Sequence, residues 1–289
     1  MTSNQLVLNN LCFSYRTTKV LEDLTLTFHS GTNVLLGANG CGKTTLFKML
    51  AGVTSPDKGS IQLNDKLYGK DQVRPLLSYI PQNFNVFPTL TVQELLEYVG
   101  KIKYHLKGQA LKEQVEQAAA LADVTEFRKK KMRSLSEGMR RRVGIAQALI
   151  GDATLIIADE PTAGLDPEQR FKFNQVVQRI PKDKIVILST HIIEDIQKFS
   201  DQVYIMSKGK IGYQGSYEEL THSLDGRTFE VRLPAQADPE QFAQEAKILS
   251  KDFTDTEMIL HLAFHEPPSD PGEMVPITAN LAEIWSYYE

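Results

Sequence analysis

The residues best placed to do chemistry are Gly37-Ala38-Asn39-Gly40-Cys41-Gly42-Lys43-Thr44-Thr45. An apolar strand, Thr32-Asn33-Val34-Leu35-Leu36, leads into them, and a helix through Leu46, Phe47 and Leu50 leads out to a glycine stop at Gly52. Glycines at 37, 40 and 42 allow backbone N–H groups to converge on phosphate oxygens, and the helix N-terminus adds partial positive charge there. Lys43 is placed to reach β- and γ-phosphates, and the Thr44 hydroxyl to coordinate magnesium. Cys41, inside this loop, reads as a small filler, with redox sensitivity as the other reading.

Three later segments carry groups that would complete such a site. Gln82 ends an apolar segment, Tyr79-Ile80-Pro81-Gln82, where its amide can reach a magnesium ion or its water. The strand Ala153-Thr154-Leu155-Ile156-Ile157-Ala158 ends in Asp159 and Glu160; beside the first strand, Asp159 would lie near the magnesium shell and Glu160 near an attacking water. Lys184-Ile185-Val186-Ile187-Leu188 is a further buried strand followed by Ser189-Thr190-His191, and His191 could bond the γ-phosphate or the attacking water.

A second helix N-terminus fit to meet an anion opens at Leu135-Ser136-Glu137-Gly138-Met139, where Ser136 reads as an N-cap. Asp166-Pro167 makes a cap and first-turn pair for another helix, a structural role that can coexist with a functional one. Tyr15, between two strands ahead of the loop, could stack on an adenine ring, and Phe84 and Phe87 follow Gln82 in a loop. Lys129-Lys130-Lys131-Met132-Arg133 reads as a solvated basic link.

The elements that must hold these groups follow from patterning. Residues 4–30 alternate apolar and polar positions, as an antiparallel sheet does. Thr91-Val92-Gln93-Glu94 is a capping box opening a helix, and a second helix is expected over about residues 109–122, giving a helical subdomain over about 88–150. Residues 202–213 read as a hairpin. Residues 223–227 read as a linker to a small α+β unit: a strand at 229–233, a helix over about 239–249, a strand at 258–262 and a final helix ending in Trp285-Ser286-Tyr287-Tyr288.

Bulk properties narrow the function classes. With 289 residues, 42% hydrophobic and 24% charged, the chain can form one large domain and a small one. A net charge of −4 implies no overall pull toward nucleic acid or anionic lipid, so no nucleic-acid partner is expected. Two distant cysteines argue against a disulfide framework and for a reducing cytoplasm. No apolar run approaches the ~20 residues needed to span a bilayer, and the N-terminus lacks signal-peptide regions.

In order along the chain, these motifs resemble the nucleotide-binding subunit of an ATP-binding cassette (ABC) transporter over about residues 4–220. GANGCGKTT looks like Walker A, Gln82 matches the Q-loop, LSEGM stands where the signature belongs, LIIADE looks like Walker B, AGLD matches the D-loop, and His191 matches the switch histidine. The resemblance implies an α/β P-loop NTPase fold of cassette type: a RecA-like core with an antiparallel β subdomain and the helical subdomain, residues 1–222, plus an accessory domain at 226–289. It implies ATP and Mg2+ as cofactors, with Gly37, Asn39, Gly40, Cys41, Gly42, Lys43, Thr44, Thr45, Gln82 and Tyr15 around the nucleotide and Thr44, Gln82 and Asp159 around the metal. Glu160, His191 and Lys43 would be catalytic. Leu135, Ser136, Glu137, Gly138 and Met139 would serve the nucleotide of a second cassette subunit, an identical copy or a paralogue, with a symmetric homodimer as the expectation, beside Asp166 of the D-loop.

The family pattern at the signature is Leu-Ser-Gly-Gly-Gln, so Glu137 and Met139 depart from it. A carboxylate ~6 Å from a γ-phosphate costs a few kcal/mol at an effective dielectric of 20, so Glu137 must point away in an active site. The string LS-x-GM followed by basic residues resembles exporter-type subunits whose permease is a separate chain. The expectation is therefore an ATPase on the inner face of the cell membrane that powers integral membrane permease subunits. The competing expectation is a cytosolic cassette ATPase acting on ribosomes, DNA or cofactor assembly, against which stands the lack of an internal repeat or long coiled-coil insertion.

Overall fold

The computed structural model describes residues 4–68, 75–82, 87–242, 245–268 and 272–289. Phe84, singled out from the sequence, lies outside the described residues.

Two long strands, β1 (Gln5–Tyr15) and β2 (Thr18–His29), form an antiparallel pair extended by β4 (Lys58–Leu63) and β5 (Lys66–Leu67). The runs Leu6-Val7-Leu8 and Leu11-Cys12-Phe13 belong to one strand, and the pairing register shifts between Leu8 and Leu11 around Asn10, whose φ is +48°. That shift keeps Leu6, Leu8, Leu11 and Phe13 all inward despite the odd spacing.

The central sheet contains β3 (Gly31–Leu36), β6 (Leu77–Ile80), β7 (Leu155–Ala158), β8 (Ile185–Thr190), β9 (Gln202–Ser207) and β10 (Lys210–Gly215), in the order β10-β9-β3-β8-β7-β6. All neighbours are parallel except the β9–β10 hairpin. Period-two alternation divides its side chains between two cores. Val34, Leu36, Ile156, Ala158, Val186 and Leu188 pack toward the helices, while Leu35, Leu155, Ile157, Ile185 and Ile187 pack toward the antiparallel sheet. A strand buried on both faces must read as a continuous apolar run, as β3, β7 and β8 do.

Helix α1 (Lys43–Leu50) follows β3 directly. Helices α2 (Val92–Tyr104), α3 (Gly108–Leu121) and α4 (Glu137–Ala148) supply the expected helical segment; Thr91 and Glu94 form the capping box, and Ser136 caps α4 by accepting from Met139 N–H at 3.3 Å. Helix α5 (Pro167–Gln178) starts at its Asp166 cap, short α6 (Ile196–Phe199) and α7 (Tyr217–Thr221) follow, and α8 (Leu281–Tyr288) ends the chain.

The C-terminal region departs from expectation in two places. The described residues of 239–249 do not form the expected helix: a short 3-10 turn at Pro239–Phe242 and, after it, β12 (Ala246–Phe253), which pairs antiparallel with β13 (Glu257–Phe264), stand there instead. The helix-forming composition of this stretch yields to cross-strand pairing, which also buries Ala246 and Leu249. With β11 (Thr228–Pro234) and β14 (Val275–Pro276) these strands make a sheet in the order β12-β13-β11-β14. The expected linker is also packed, since Leu224 is fully inside the main core and Arg227 lies over the Tyr287 ring at 5.6 Å.

Candidate functional site

The C-terminal ends of β3, β7 and β8 lie side by side because Leu36 pairs with Thr190 and Ala158 with Leu188. Everything that follows these three strands therefore converges at one edge, the place where parallel sheets bind ligands.

After β3 the chain turns through Gly37–Gly42 into α1. Gly37 is required by close approach: a Cβ there would lie 2.5 Å from the Met206 carbonyl oxygen and 2.6 Å from Cys41 Sγ. Gly42, the N-cap of α1, has φ +117°, a conformation L side chains avoid. Lys43 is buried, and its Nζ donates to the carbonyls of Gly37 at 2.7 Å and Ala38 at 3.0 Å. The ammonium is thus held inside the curve of the loop, while Asn39, Gly40 and Thr44 stand exposed at its rim and Thr45 packs inward. Cys41 is buried behind the loop; burial pushes its thiol pKa up, with Lys43 opposing, so it is a packing residue rather than a reactive thiolate.

After β7, Asp159 is buried and Glu160 turns out of the strand with φ +45°, a strained conformation for glutamate costing on the order of 1–3 kcal/mol. Ser189, at the end of β8, holds both: its hydroxyl donates to Asp159 Oδ1 at 2.7 Å and accepts from the Glu160 N–H at 2.8 Å. The Glu160 carboxylate lies between two further groups. Gln82 Nε2 donates to Oε2 at 3.0 Å, and His191 Nδ1 stands 3.4 Å from Oε1, in ion-pairing range when the imidazole is protonated but not aligned as a hydrogen bond. Gln82, the adjacent pair Asp159 and Glu160, and His191 thus form one cluster from three distant parts of the sequence.

A family model described as ABC transporter matches residues 21–163. An uncharacterized ABC transporter ATP-binding protein of Bacillus subtilis, YxlF, is 34% identical over 228 residues, covering 78% of this chain and 75% of that protein. The chain belongs to the ABC transporter ATP-binding proteins. The cobalt import ATP-binding protein CbiO of Salmonella typhimurium is 35% identical over 232 residues, 78% of this chain and 82% of that one. Among solved structures, CbiO1 of Clostridium perfringens, part of the ABC transporter complex CbiONQ, aligns with TM-score 0.69 and 25% identity over 74% of this chain and 89% of that chain. The fold is that of an ABC ATPase cassette, and the chain is the ATP-binding subunit of an ABC transporter.

Within this cassette the signature segment belongs to a different part of the fold. Leu135 is buried, Ser136 and Glu137 are exposed at the start of α4, and Met139 is half-buried. Among the described residues no hydrogen bond or ion pair joins 135–139 to the loop at 37–45; their hydrogen bonds and ion pairs run within α4 and to the turn at Met132 just before it. Glu137, the departure from the family pattern, is held by Arg140 at 2.9 Å and Arg141 at 3.1 Å, so its charge is neutralised within its own helix. A Cβ on Gly138 would fall 1.8 Å from Gln169 Oε1 and 2.7 Å from its Cδ, so the glycine leaves room for the Gln169 side chain of α5. Asp166 Oδ1 accepts from Gln169 N–H at 2.8 Å, an N-cap. Tyr15 is 47% exposed at the end of β1, its ring edge-to-face with Phe13 at 4.8 Å.

Two residues of the cluster are not evident from sequence as such. Ser189 belongs to the polar triplet that drew attention to His191, so position alone pointed to it. Arg141 sits in a run of three arginines to which the sequence assigns no role, yet it is 3% exposed and donates to the Gln82 carbonyl.

Proposed function

We propose that this cassette hydrolyses ATP at a site shared with a second copy of itself and thereby drives a separate integral membrane permease in the export direction. The observation that carries the catalytic part is the seating of the Glu160 carboxylate between Gln82 and His191, at the strand edge that also bears the phosphate loop. There Lys43 and the loop N–H groups bind phosphate, Glu160 polarises the attacking water, and His191 steadies the water or the γ-phosphate. Tyr15 offers its exposed ring to the adenine.

The oxygen donors Thr44, Gln82 and Asp159 suit a hard divalent cation, and Mg2+ would be held there, neutralising phosphate charge when bound. Among the described residues no group of three or more His, Cys, Asp or Glu side chains could hold a metal, so phosphate oxygens would be needed to complete the shell.

The separation of Ser136 and Gly138 from the phosphate loop supports pairing: two chains related by a two-fold axis would each lend an α4 N-terminus to the other's nucleotide. The family membership supports a membrane partner, and no helix among the described residues is long and apolar enough to cross a membrane. Contact with that partner is assigned to the surface beyond Gln82, where exposed Phe87 meets exposed Tyr98 edge-to-face at 5.3 Å between ring centres, with exposed Ile102 one turn on along α2. A subunit engaged in this way would work at the inner face of the cell membrane. Export is the direction favoured by the LS-x-GM string. Residues 1–222 are taken as the ATP-binding domain and 226–289 as an accessory domain.

The test is Glu160→Gln. It should abolish ATP turnover and leave an ATP-bound dimer on gel filtration; wild-type turnover in this variant would overturn the catalytic assignment. Mild detergent extraction of the native protein should recover it with an integral membrane protein, and recovery with ribosomes or DNA instead would overturn the transport assignment.

A further inference from the structure

Arg141 lies on α4 one turn after Glu137, and its guanidinium reaches two elements at once. Nη2 pairs with Glu137 Oε1 at 3.1 Å, while Nη1 donates to the backbone carbonyl of Gln82 and, at 3.5 Å, to that of Pro81. Its Nε has no hydrogen-bond partner among the described residues. A buried cation paired with one half-exposed carboxylate that it shares with Arg140 is a poor device for stability, since desolvation offsets most of the attraction. Burial pulls the Arg141 pKa down, against the opposing charges of Glu137 and Glu160.

Gln82 therefore has two engaged ends: its side-chain amide on the Glu160 carboxylate and its main-chain carbonyl on Arg141. Arg141 in turn is rigidly joined to the first turn of α4, where Ser136 caps the helix and Gly138 meets α5. We infer that Arg141 is a positioning residue that ties the signature helix to Gln82 and so sets where the Glu160 carboxylate stands. Glu137 orients the guanidinium for this task. The inference rests on the proposed two-chain site. In that site Ser136 and Gly138 meet the partner's nucleotide while Glu160 serves this chain's own, so the link carries the state of one ATP to the hydrolysis of the other. It is a short, contiguous path between the two nucleotides, and its functional signature is cooperativity.

The experiment uses the full chain and measures the ATP dependence of hydrolysis beside equilibrium binding of ATP, for wild type, Arg141→Met, Arg141→Lys and Glu137→Gln. Wild type should show a Hill coefficient approaching 2, the number of sites. In Arg141→Met the coefficient should fall toward 1 and kcat should drop about tenfold, as misplacement of a reacting group does, with the ATP Kd changed less than about twofold. Arg141→Lys, which keeps the charge without the planar fork, should recover part of the loss. Glu137→Gln should lower the Hill coefficient with Arg141 still present. Unchanged cooperativity and kcat in Arg141→Met, or a parallel loss of binding and turnover in all three variants, would overturn the inference while leaving the proposed function intact. A wild-type chain that hydrolyses ATP without cooperativity would overturn both this link and the shared site.

Discussion

The Ser189 hydroxyl donates to Asp159 Oδ1 across 2.7 Å, and the same oxygen accepts the N–H of Glu160. One side chain thus fixes the carboxylate proposed for the metal and the backbone of the carboxylate proposed for water activation. It also offsets the strain of Glu160 at φ +45°. In Ser189→Ala a buried carboxylate oxygen and a strained N–H lose their partner together, costing about 2 kcal/mol of stability. Turnover should fall about 10- to 100-fold because Glu160 is no longer held, with ATP affinity little changed. Urea unfolding and steady-state kinetics check the two halves separately, and Ser189→Thr, which keeps the hydroxyl, should restore most of both.

A second expectation concerns the crossing of α4 and α5. Gly138→Ala drives a methyl to within 1.8 Å of Gln169 Oε1 and 2.7 Å of its Cδ, so the Gln169 side chain must swing aside and its Cβ, 3.3 Å away, must also give slightly. Overpacking of this kind costs about 1–3 kcal/mol. Shortening the neighbour in Gly138→Ala/Gln169→Ala should recover the stability seen in thermal melts. If Gly138 also meets the partner's nucleotide, the double variant will melt like wild type yet remain impaired in ATP-induced dimer formation. Full recovery of dimerisation would instead make the glycine a packing residue only.

How much of this was legible beforehand follows from the kind of signal each element carries. The glycine loop at 37–45, the capping box at Thr91–Glu94 and the strands β3, β7 and β8 declare themselves locally, through glycine spacing, cap residues and apolar runs. Residues 246–249, expected as the end of a helix, do not, because Ala, Lys and Leu there suit a helix, and only β13, drawn alongside by the hairpin, makes them part of a strand. Arg141 is hidden for a related reason: three consecutive arginines look alike, and only the approach of the Gln82 carbonyl distinguishes the buried one from Arg140 and from Arg142, which pairs with Asp123. Glu137 looked like a liability to catalysis until its arginine partners were seen.

The last expectation concerns how α8 is held to the C-terminal sheet. His261 on β13 places Nδ1 2.5 Å from Glu283 Oε1 on α8 and Nε2 3.5 Å from Glu230 Oε2 on β11, while the Ser250 hydroxyl on β12 donates to Glu283 at 3.0 Å and Arg232 pairs with Glu230 at 2.9 Å. Burial alone would lower the His261 pKa, but the hydrogen bonds and charges of Glu283 and Glu230 together raise it. Burial likewise pushes Glu283 up, and His261, the Asn280 N–H and Ser250 together bring it below the usual carboxylate range. A histidine with a raised folded pKa stabilises fully below its unfolded value and loses that contribution as pH rises through the folded one. A carboxylate with a depressed pKa stabilises above its unfolded value and loses its contribution as pH falls. The two conditions overlap between about pH 4.5 and 6.5, the ordinary values of the two groups, so the pair contributes most there. Unfolding of wild type and His261→Gln followed across pH should therefore differ most near pH 5.5, with the gap closing above neutrality. A difference that stays constant from pH 5 to pH 9 would show that His261 acts by packing rather than by charge.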